Sequence, residues 1–293
     1  MTKFGSRYWD SVASLSAGSA ESRDLWRMHM QAVYRALLQR WLPCDPTDSA
    51  PSVAKVALKT DLYEEALGHG LLPDLCRGEV RVVGMDLSWE IVRRARAQLS
   101  QQGCHPLLVT CDARHLPFVA RSFAVVVSFS TLDHFTDASD LFRGLEELTR
   151  VMRDDGTAIV TLDNRANPVI ALRNRFSHRT RTRLRITPYY VGATYTPGEL
   201  VTALRSLDMN VVDMEAVLHC PRIVVIWVLR VVLTLGGWGG KAILRLLRRF
   251  EGLARWPTRY RTGYYLAFRA EKRALSPDDA VAGTLSSHTG KGT

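Results

Sequence analysis

Two carboxylates in the first half of the chain each follow a short apolar run that has the pattern of a strand. Asp86 comes after Val80–Met85, and Asp112 comes after Pro106–Thr110. A carboxylate at a strand tip can accept hydrogen bonds from the two hydroxyls of a ribose, or from the amino group of an adenine ring. Each residue alone is equally compatible with an ordinary turn or with the start of a helix capped by Ser88.

A second group of residues could act on protons or contact a substrate. Asp133 and His134 follow the apolar run Phe123–Phe129, and either side chain could accept a proton, although His134 could equally be a packed structural histidine. Further substrate-side candidates follow the next run; they are Asn164, Asn167, Tyr189, Tyr190 and His219.

These residues are spaced along an alternation of strand and helix patterns. The predicted strands are Val53–Leu58, Val80–Met85, Pro106–Thr110, Phe123–Phe129 and Thr157–Leu162. The predicted helices between them are Glu64–Leu72, Ser88–Gln101 and Ala138–Met152. Apolar strands that alternate with helices predict an α/β fold with a parallel sheet covered on both faces. Ligands of such sheets bind at the carboxyl ends of the strands, where the candidate carboxylates lie.

Five short motifs occur in a fixed order over about residues 80–163. They read G-x-D-x-S, D-A-x-x-L-P-F, S-F-x-V-V-x-S, L-x-H-F and E-L-x-R-V-x-x-x-x-G. In this order and spacing they resemble class I S-adenosylmethionine-dependent methyltransferases, most of all the methyltransferase type 11 group that includes the ubiquinone/menaquinone C-methyltransferases.

The resemblance implies a Rossmann-like seven-stranded sheet whose last strand is antiparallel, with Met209–Val217 and Gly263–Ala270 as the terminal hairpin. It implies S-adenosylmethionine as cofactor. The residues that would bind it are Asp86 and Leu87 at the ribose, Asp112 and Ala113 at the adenine, and Ser128 beside them. His134, in the L-x-H-F position, would lie near the transferring methyl group.

The first strand departs from the family pattern, because the glycine-rich turn that follows it in these enzymes is missing. After Leu58 the chain reads K-T-D-L-Y-E-E-A, and the next glycine is Gly68. Two interpretations compete. In the first, Asp61 or Glu65 pairs with the ammonium of the cofactor and Lys59 with its carboxylate. In the second, the fold has lost its cofactor and only binds ligands.

Composition limits the classes of function. The 293 residues carry a formal net charge of +10, concentrated in Arg173–Arg185 and at Arg245, Arg248 and Arg249. This excess favours an acidic partner, such as a phospholipid surface, or is simply a solvated basic face. Nucleic acid is not expected, because Phe176 is the lone aromatic residue of the basic stretch. The five cysteines form no C-x-x-C pair, so we expect reduced thiols and no metal site.

The remaining segments frame this domain. Residues 1–45 are predicted as an N-terminal helical segment, with a helix over Arg23–Leu42 and partial order at best over residues 1–20. The methyltransferase domain would span 46–271, two insertions at 164–196 and 218–261 would form a lid, and 272–293 would be a disordered tail. Met1–Ala20 contains no apolar stretch, which favours a cytoplasmic location.

The second insertion gives the sequence's main indication of the substrate. Ile223–Leu235 is apolar except for Arg230, and Lys241–Phe250 has the pattern of a basic amphipathic helix. This combination favours reversible attachment to an anionic membrane face, although a lid helix packed on the sheet would have the same pattern. We therefore expect methyl transfer to a small apolar or lipid-like acceptor, with no obligate protein partner. The alternatives are an inactive binding protein, or a methyltransferase of a natural-product or glycan intermediate or of RNA.

Overall fold

Seven strands form one sheet in the computed structural model, which describes residues 5–15, 21–42, 55–76, 80–177, 180, 183, 190–220 and 240–273. In chain order the strands are β1 (Val56–Thr60), β2 (Arg81–Asp86), β3 (Leu107–Thr110), β4 (Phe123–Phe129), β5 (Met152–Asp163), β6 (Met209–Val217) and β7 (Tyr265–Lys272).

The helices of the described ranges lie before, between and after the strands. They are α1 (Ser6–Leu15), α2 (Glu21–Trp41), α3 (Tyr63–Ala66), α4 (Leu72–Leu75), α5 (Trp89–Gln101), α6 (Ala138–Val151), α7 (Pro168–Arg175), α8 (Pro197–Arg205), α9 (Gly240–Phe250) and α10 (Arg259–Thr262). Two 3-10 segments, Leu132–His134 and Glu251–Arg255, complete the set.

The strand order across the sheet is β3-β2-β1-β4-β5-β7-β6. Strand β1 is parallel to both β2 and β4, whereas β7 is antiparallel to both β5 and β6. The chain moves to one side of β1 to form β2 and β3, then crosses to the other side to form β4. A crevice therefore opens between the carboxyl ends of β1 and β4, which is where open α/β sheets bind ligands.

Both faces of the sheet are buried, and this accounts for the continuous apolar runs of the central strands. Neighbouring side chains of β1 point to opposite faces: Ala57 packs in a core with α2 and α5, and Leu58 packs in a core with α6 and α8. Both β1 residues are almost fully buried, at 1% and 0% exposed. The same alternation along every central strand fixes which residues reach the crevice at the strand tips.

The C-terminal part of the chain packs against the N-terminal helix α2. Leu247 of α9 is buried in the α2 side of the core, with Ile243 and Leu244 beside it. Glu251 accepts a hydrogen bond from His29 of α2 at 3.1 Å and another from the backbone N–H of Leu218 at 3.1 Å. Through these contacts, the segment after α9 holds α2 against the end of β6.

The predicted fold is confirmed: the sheet has seven strands, and Met209–Val217 pairs with the last strand as an antiparallel hairpin. Several boundaries differ from the prediction. Strand β5 begins at Met152, because the predicted Asp154–Gly156 turn is a bulge in the pairing of β4 with β5.

One local prediction was wrong. The single helix predicted over Glu64–Leu72 is instead the two short turns α3 and α4, separated by Gly68 in the left-handed region (φ 80°) and by Gly70. Residues 1–20 were expected to be partly ordered at best; α1 occupies ten of them and packs against α5. The apolar segment 221–239 and the tail 274–293 lie outside the described residues.

The cysteines, the helices long enough to be considered as membrane spans, and the start of the basic stretch were also the subject of predictions. Cys76, Cys104, Cys111 and Cys220 are free thiols, and Cys44 lies outside the described residues. No helix in the described ranges has the length and apolar character needed to cross a bilayer. Arg173, expected on a solvated basic face, is instead buried and contacts Asp163 at 2.5 Å.

Candidate functional site

A cavity of about 1260 Å³, counted to its open mouth, lies at the carboxyl ends of β1, β2 and β4. Its floor comes from the strand tips and the loops that follow them, and its roof comes from α1 and α2. The lining includes the predicted catalytic residue His134 and most of the predicted cofactor residues; the latter are Lys59, Asp61, Glu65, Asp86, Leu87, Asp112 and Ala113. Because these residues come from four separate loops, the fold itself brings them together.

The loop after β1 is organised by an ion pair within the chain. Lys59 Nζ lies 3.0 Å from Glu65 Oε2 and donates to the backbone oxygen of Asp61 at 2.5 Å. The other Glu65 oxygen accepts from the backbone N–H groups of Leu71 and Leu72. Glu65 is therefore a structural clamp on its own loop, and the predicted pairing of Lys59 with a cofactor carboxylate meets a lysine that already has two partners.

Gly70 leaves the space that this clamp occupies. A Cβ atom on Gly70 would lie 2.2 Å from Glu65 Cδ, which is far inside van der Waals contact. The glycine that this loop requires therefore lies later in the loop than the expected turn, and it makes room for the side chain of Glu65.

Asp61 has the backbone geometry at which the missing glycine would be expected. Its φ of 72° lies in the left-handed region, which aspartate tolerates better than most residues. Its Oδ1 accepts from the backbone N–H of Tyr63 at 3.0 Å. Burial raises the pKa of Asp61 to about 8, although the Lys59 ammonium acts in the opposite direction. Asp61 therefore remains the loop carboxylate best placed to receive a cationic group.

Asp86 lies at the tip of β2 and organises the backbone around it. Its Oδ2 accepts from Leu62 N at 3.0 Å and its Oδ1 accepts from Ser88 N at 2.8 Å. Burial raises the pKa of Asp86 to about 6, and the two backbone donors act against this rise. Ser88 caps α5 through Ile91 N, as predicted, and its hydroxyl donates to Asp10 of α1.

Asp112, after β3, is held by a bidentate contact with Arg114, whose Nε and Nη2 lie 3.0 and 2.6 Å from the two carboxylate oxygens. Burial would raise the pKa of Asp112, but the hydrogen bonds from Arg114 prevail and hold it below its usual value. The guanidinium of Arg114 lies over the Phe135 ring at 5.2 Å. The carboxylate therefore faces the cavity in a fixed orientation.

Ser128 does not line the cavity. It is fully buried within β4, and its Oγ accepts from Thr60 Oγ1 at 2.8 Å. The same Thr60 hydroxyl lies 2.8 Å from Thr131 Oγ1. The prediction for Ser128 is wrong by a few residues, because the residues after the strand, Ser130 and Thr131, are the ones that turn into the cavity.

His134 lines the cavity and is held from two sides. Its Nδ1 lies 2.9 Å from the backbone oxygen of Tyr190, and its ring lies 4.7 Å from the Trp9 ring of α1. A carbonyl can only accept, so Nδ1 carries the proton and the lone pair of the neutral ring is on Nε2. Burial lowers the pKa of His134 to about 4, so the ring is neutral at physiological pH.

Asp133, the other predicted base, does not line the cavity. It lies on the short 3-10 segment and is 2% exposed. Burial raises its pKa well above the usual value, and the negative charge of Asp163 acts in the same direction. Asp133 is thus a buried acid outside the cavity lining, and the catalytic role predicted for it is not supported by its position.

Most of the predicted substrate-side residues have structural roles. Asn164 Nδ2 donates to the backbone oxygens of Tyr260 and Gly263, and Asn167 Nδ2 donates to those of Thr262 and Gly263. His219 uses one ring nitrogen with Thr262 Oγ1 and the other with the backbone oxygen of Ala216. These three side chains join the ends of β5, β6 and α10, and all three lie outside the cavity lining.

One of the two predicted tyrosines lies among the described residues. Tyr190 is buried and contacts the site through its backbone, which accepts from His134 and donates from its N–H to Tyr8 Oη. Tyr189 lies outside the described residues.

The roof of the cavity was not predicted from the sequence, nor was its aromatic wall. The unpredicted lining residues include Trp9 of α1, Met30, Gln31 and Tyr34 of α2, and Phe129 and Tyr265 of the sheet. Tyr34 stacks on Phe129 with ring centroids 4.5 Å apart and meets Tyr265 edge-on at 6.5 Å. The sequence predicted a helix over Arg23–Leu42, but nothing in it indicated which part of the sheet the helix would cover.

The cavity wall contains more carboxyl groups than basic groups. Among the described lining residues, the two full cations, Lys59 and Arg114, are paired with Glu65 and Asp112. Glu64 lies 3.6 Å from Arg27 outside the lining. Asp61 and Asp86 therefore give the wall an acidic character, and a wall of this kind favours a ligand with positive charge.

Comparison with known proteins places the fold. Residues 66–156 match the family model described as a methyltransferase domain. The phosphatidylethanolamine N-methyltransferase of Cereibacter sphaeroides is 31% identical over 101 residues, which are 34% of this chain and 48% of that relative. The match thus spans about half the length of that relative.

Two solved structures show the same architecture over most of the chain. The geranyl diphosphate C-methyltransferase from Streptomyces coelicolor A3(2), in complex with Mg²⁺, geranyl diphosphate and S-adenosyl-L-homocysteine, is 15% identical with a TM-score of 0.52, over 83% of this chain and 79% of that one. The [4+2]-cyclase SpnF is 15% identical with a TM-score of 0.54, over 83% of this chain and 81% of that one. The fold of this chain is therefore the Rossmann-like methyltransferase fold.

Proposed function

We propose that this chain is an S-adenosylmethionine-dependent methyltransferase that acts on a small, apolar or lipid-like acceptor. The observation that carries this proposal is the cavity at the strand tips of a methyltransferase fold, where Asp61, Asp86, Asp112 and Ala113 lie together. Neither the fold alone nor the order of the sequence motifs alone would be enough to support a cofactor site. Their agreement at one cavity supports a retained cofactor site despite the missing glycine turn.

The cofactor would lie along the strand tips, with each part matched by a chemical group of the wall. Asp86 and Leu87 would contact the ribose, and Asp112 and Ala113 the adenine ring. Asp61 would receive the methionyl ammonium, because both oxygens of Glu65 are engaged within the chain. The sulfonium and ammonium charges exceed the one carboxylate of S-adenosylmethionine, so a net positive ligand suits the acidic wall.

The acceptor would lie under the roof, on the aromatic side of the cavity. Trp9, Met30, Tyr34, Phe129 and Tyr265 supply an apolar wall there, and apolar walls with few polar groups are typical of small-molecule sites. The C. sphaeroides relative is named for a phospholipid substrate, in agreement with a lipid-like acceptor. The narrower likeness to quinone C-methyltransferases rests on the sequence motifs alone.

Bound S-adenosylmethionine supplies an electrophilic methyl group on a sulfonium. The residues of this chain would hold the acceptor in line with that methyl group, and such positioning can account for much of the rate. Where the acceptor loses a proton on methylation, His134 would take it at Nε2, since its Nδ1–H is committed to Tyr190.

A calorimetric titration tests the proposal. We expect the protein to bind S-adenosylmethionine and S-adenosylhomocysteine, one molecule per chain. Loss of binding to both compounds by well-folded protein would overturn the proposal.

A second candidate function is a reaction or binding event without methyl transfer. Two observations favour it: the first-strand loop lacks the glycine turn, and one protein of the same fold is described as a cyclase. Mixing the protein with methyl-labelled S-adenosylmethionine and pools of apolar small molecules separates the two. Transfer of label to any compound supports the methyltransferase, whereas binding without transfer to any pool supports the alternative.

A further inference from the structure

Gln31 of α2 is a buried polar side chain in the cavity wall with an unused hydrogen-bond acceptor. The residue is 6% exposed, and its Oε1 has no hydrogen-bond partner in the described part of the chain. A buried amide oxygen that has lost water without gaining a donor is unfavourable, so such atoms in native proteins call for an explanation. A donor group of a ligand bound in the cavity would supply the missing partner.

The side chain of Gln31 faces the loop that replaces the glycine turn. Arg27 and Arg35 lie one helical turn before and after it on the same face of α2. Arg27 lies 3.6 Å from Glu64 of α3, and Arg35 lies 2.7 Å from Asp74 of α4. Gln31 therefore lies over the segment between α3 and α4.

The cavities give the same position independently. Gln31 and Gly70 both line the main cavity, and both also line a second cavity together with Arg35 and Asp74. Gly70 is the residue that makes room for the Glu65 clamp. Gln31 is thus beside the end of the cavity formed by Lys59, Asp61 and Glu65, at a distance along the strand tips from Asp112 and Ala113.

The charge of this end selects the kind of donor. Its one lysine is neutralised by Glu65, and Asp61 adds a further carboxyl group. An acceptor oxygen beside carboxyl groups suits a cationic donor. An ammonium group has three N–H donors and no acceptor, so it can engage an amide oxygen and a carboxylate at once.

We propose that Gln31 binds the α-ammonium group of the cofactor's methionyl arm together with Asp61. This rests on the proposed function, and it assigns to a residue of the N-terminal helix a contact that a glycine-rich turn would otherwise provide through its backbone. On this account α2 both covers the cavity and selects ligands that carry the amino-acid arm.

The experiment compares ligands with and without that arm. S-Adenosylmethionine and S-adenosylhomocysteine carry it, whereas 5′-methylthioadenosine keeps the adenosine and the sulfur but lacks it. Calorimetric affinities for all three are measured with the parent protein, with Gln31→Met and Gln31→Glu, and with Gln39→Met as a matched control on the exposed side of α2. Thermal unfolding of each variant checks that α2 remains packed.

We expect Gln31→Met to weaken both arm-bearing ligands by about tenfold or more, as for a hydrogen bond to a charged group. Methylthioadenosine should change by less than about twofold, Gln31→Glu should retain affinity, and Gln39→Met should match the parent. Unchanged affinity of Gln31→Met for S-adenosylmethionine, or an equal loss for methylthioadenosine, would overturn the inference alone. Failure of the parent protein to bind either arm-bearing ligand would overturn the proposed function and this inference with it.

Discussion

Lys59 and Glu65 form a buried ion pair at 3.0 Å, six residues apart, across the loop where the resemblance to class I methyltransferases would lead us to expect a glycine-rich turn. Both side chains are at most 4% exposed, so neither charge is solvated by bulk water. The pair is completed by the backbone donors of Leu71 and Leu72, which bind the other Glu65 oxygen. Shape at this end of the cavity is therefore set by a side-chain clamp in place of a bare backbone turn.

The clamp predicts that Gly70 is sensitive to the smallest enlargement. In Gly70→Ala the new methyl group would overlap Glu65, because the Cβ position is 2.2 Å from Glu65 Cδ. We expect a loss of about 1–3 kcal/mol in stability, typical of overpacking, and weaker cofactor binding. Chemical denaturation and calorimetry measure the two effects. Gly252→Ala is the control, since no atom lies within 4 Å of its Cβ position; equal behaviour of the two variants would show that the clamp has no such role.

Cofactor affinity should rise with pH between about 6 and 8. Burial raises the pKa of Asp61 to about 8, so the carboxyl group is largely protonated in the empty site at pH 6. A bound ammonium favours the ionised form, hence binding releases a proton, and it becomes easier as the pH approaches 8. Calorimetry in buffers of different ionisation enthalpy measures the released proton. In Asp61→Asn we expect weaker binding and a flatter pH dependence; a steep dependence retained in this variant would assign the proton to another group, such as Asp86.

Asp86→Ala should weaken S-adenosylmethionine by about 1–3 kcal/mol, the cost of leaving buried donors without a partner. The structure adds a second effect, because the same carboxylate accepts from Leu62 N and Ser88 N. The variant should therefore also unfold at a lower temperature. Asp154→Ala, on a largely exposed side chain, serves as the control for charge loss. Normal affinity in folded Asp86→Ala would remove Asp86 from the site.

His134→Gln should lower the turnover number while leaving the cofactor dissociation constant unchanged. Removal of a positioned general base typically costs about 10²–10⁴-fold. Because burial lowers the pKa of His134 to about 4, the rate should show no histidine titration between pH 6 and 8. His219→Gln is a matched control, as this histidine has partners within the chain on both ring nitrogens and lies outside the cavity lining. Loss of folding in His134→Gln, with His219→Gln unaffected, would favour a structural role for His134.

Membrane attachment through residues 223–250 remains a prediction with a sharper test. In the described part, Leu247 of α9 is buried against the core, whereas Leu246 and Phe250 are 51% and 36% exposed. Arg245, Arg248 and Arg249 are exposed on the same helix, and each could add about 1 kcal/mol near an anionic surface. We expect co-sedimentation with anionic vesicles that weakens at high salt.

Replacing these three arginines by glutamine should weaken vesicle binding. The same change at Arg81, Arg96 and Arg205 alters the net charge equally at exposed positions elsewhere and should have little effect. A protein that stays in the supernatant with every vesicle type would contradict the prediction and would leave α9 as a helix that only packs on α2.

The sequence predicts a position at the crevice most directly for residues that follow the end of a strand. Asp86, Asp112 and His134 come within a few residues of β2, β3 and the end of β4, so their place at the crevice follows from the parallel sheet alone. The prediction for Ser128 was wrong because Ser128 lies within β4, where its hydroxyl bonds to Thr60 of the neighbouring strand, whereas the residues after the strand end line the cavity.

The positions of the other candidate residues depend on contacts between segments that are distant in the sequence. Asn164, Asn167 and His219 resemble site residues in sequence, yet they satisfy backbone groups at the junction of β5, β6 and α10. The segment that packs beside an asparagine determines whether its amide binds a substrate or a backbone carbonyl group. For the same reason the position of Gln31 and Tyr34 could not be predicted, since it requires knowing where α2 crosses the sheet.

The cavity wall includes Trp9 from the first helix and Tyr265 from the last strand, and the chain passes through the other six strands between them. Strand β7 must insert between β5 and β6 before Tyr265 reaches its place. Only a chain in which all seven strands have taken their places can therefore bind the ligand. A bound ligand should stabilise the two distant ends of the fold against unfolding as one cooperative unit. During synthesis, the site would come into existence in a single late step rather than growing strand by strand.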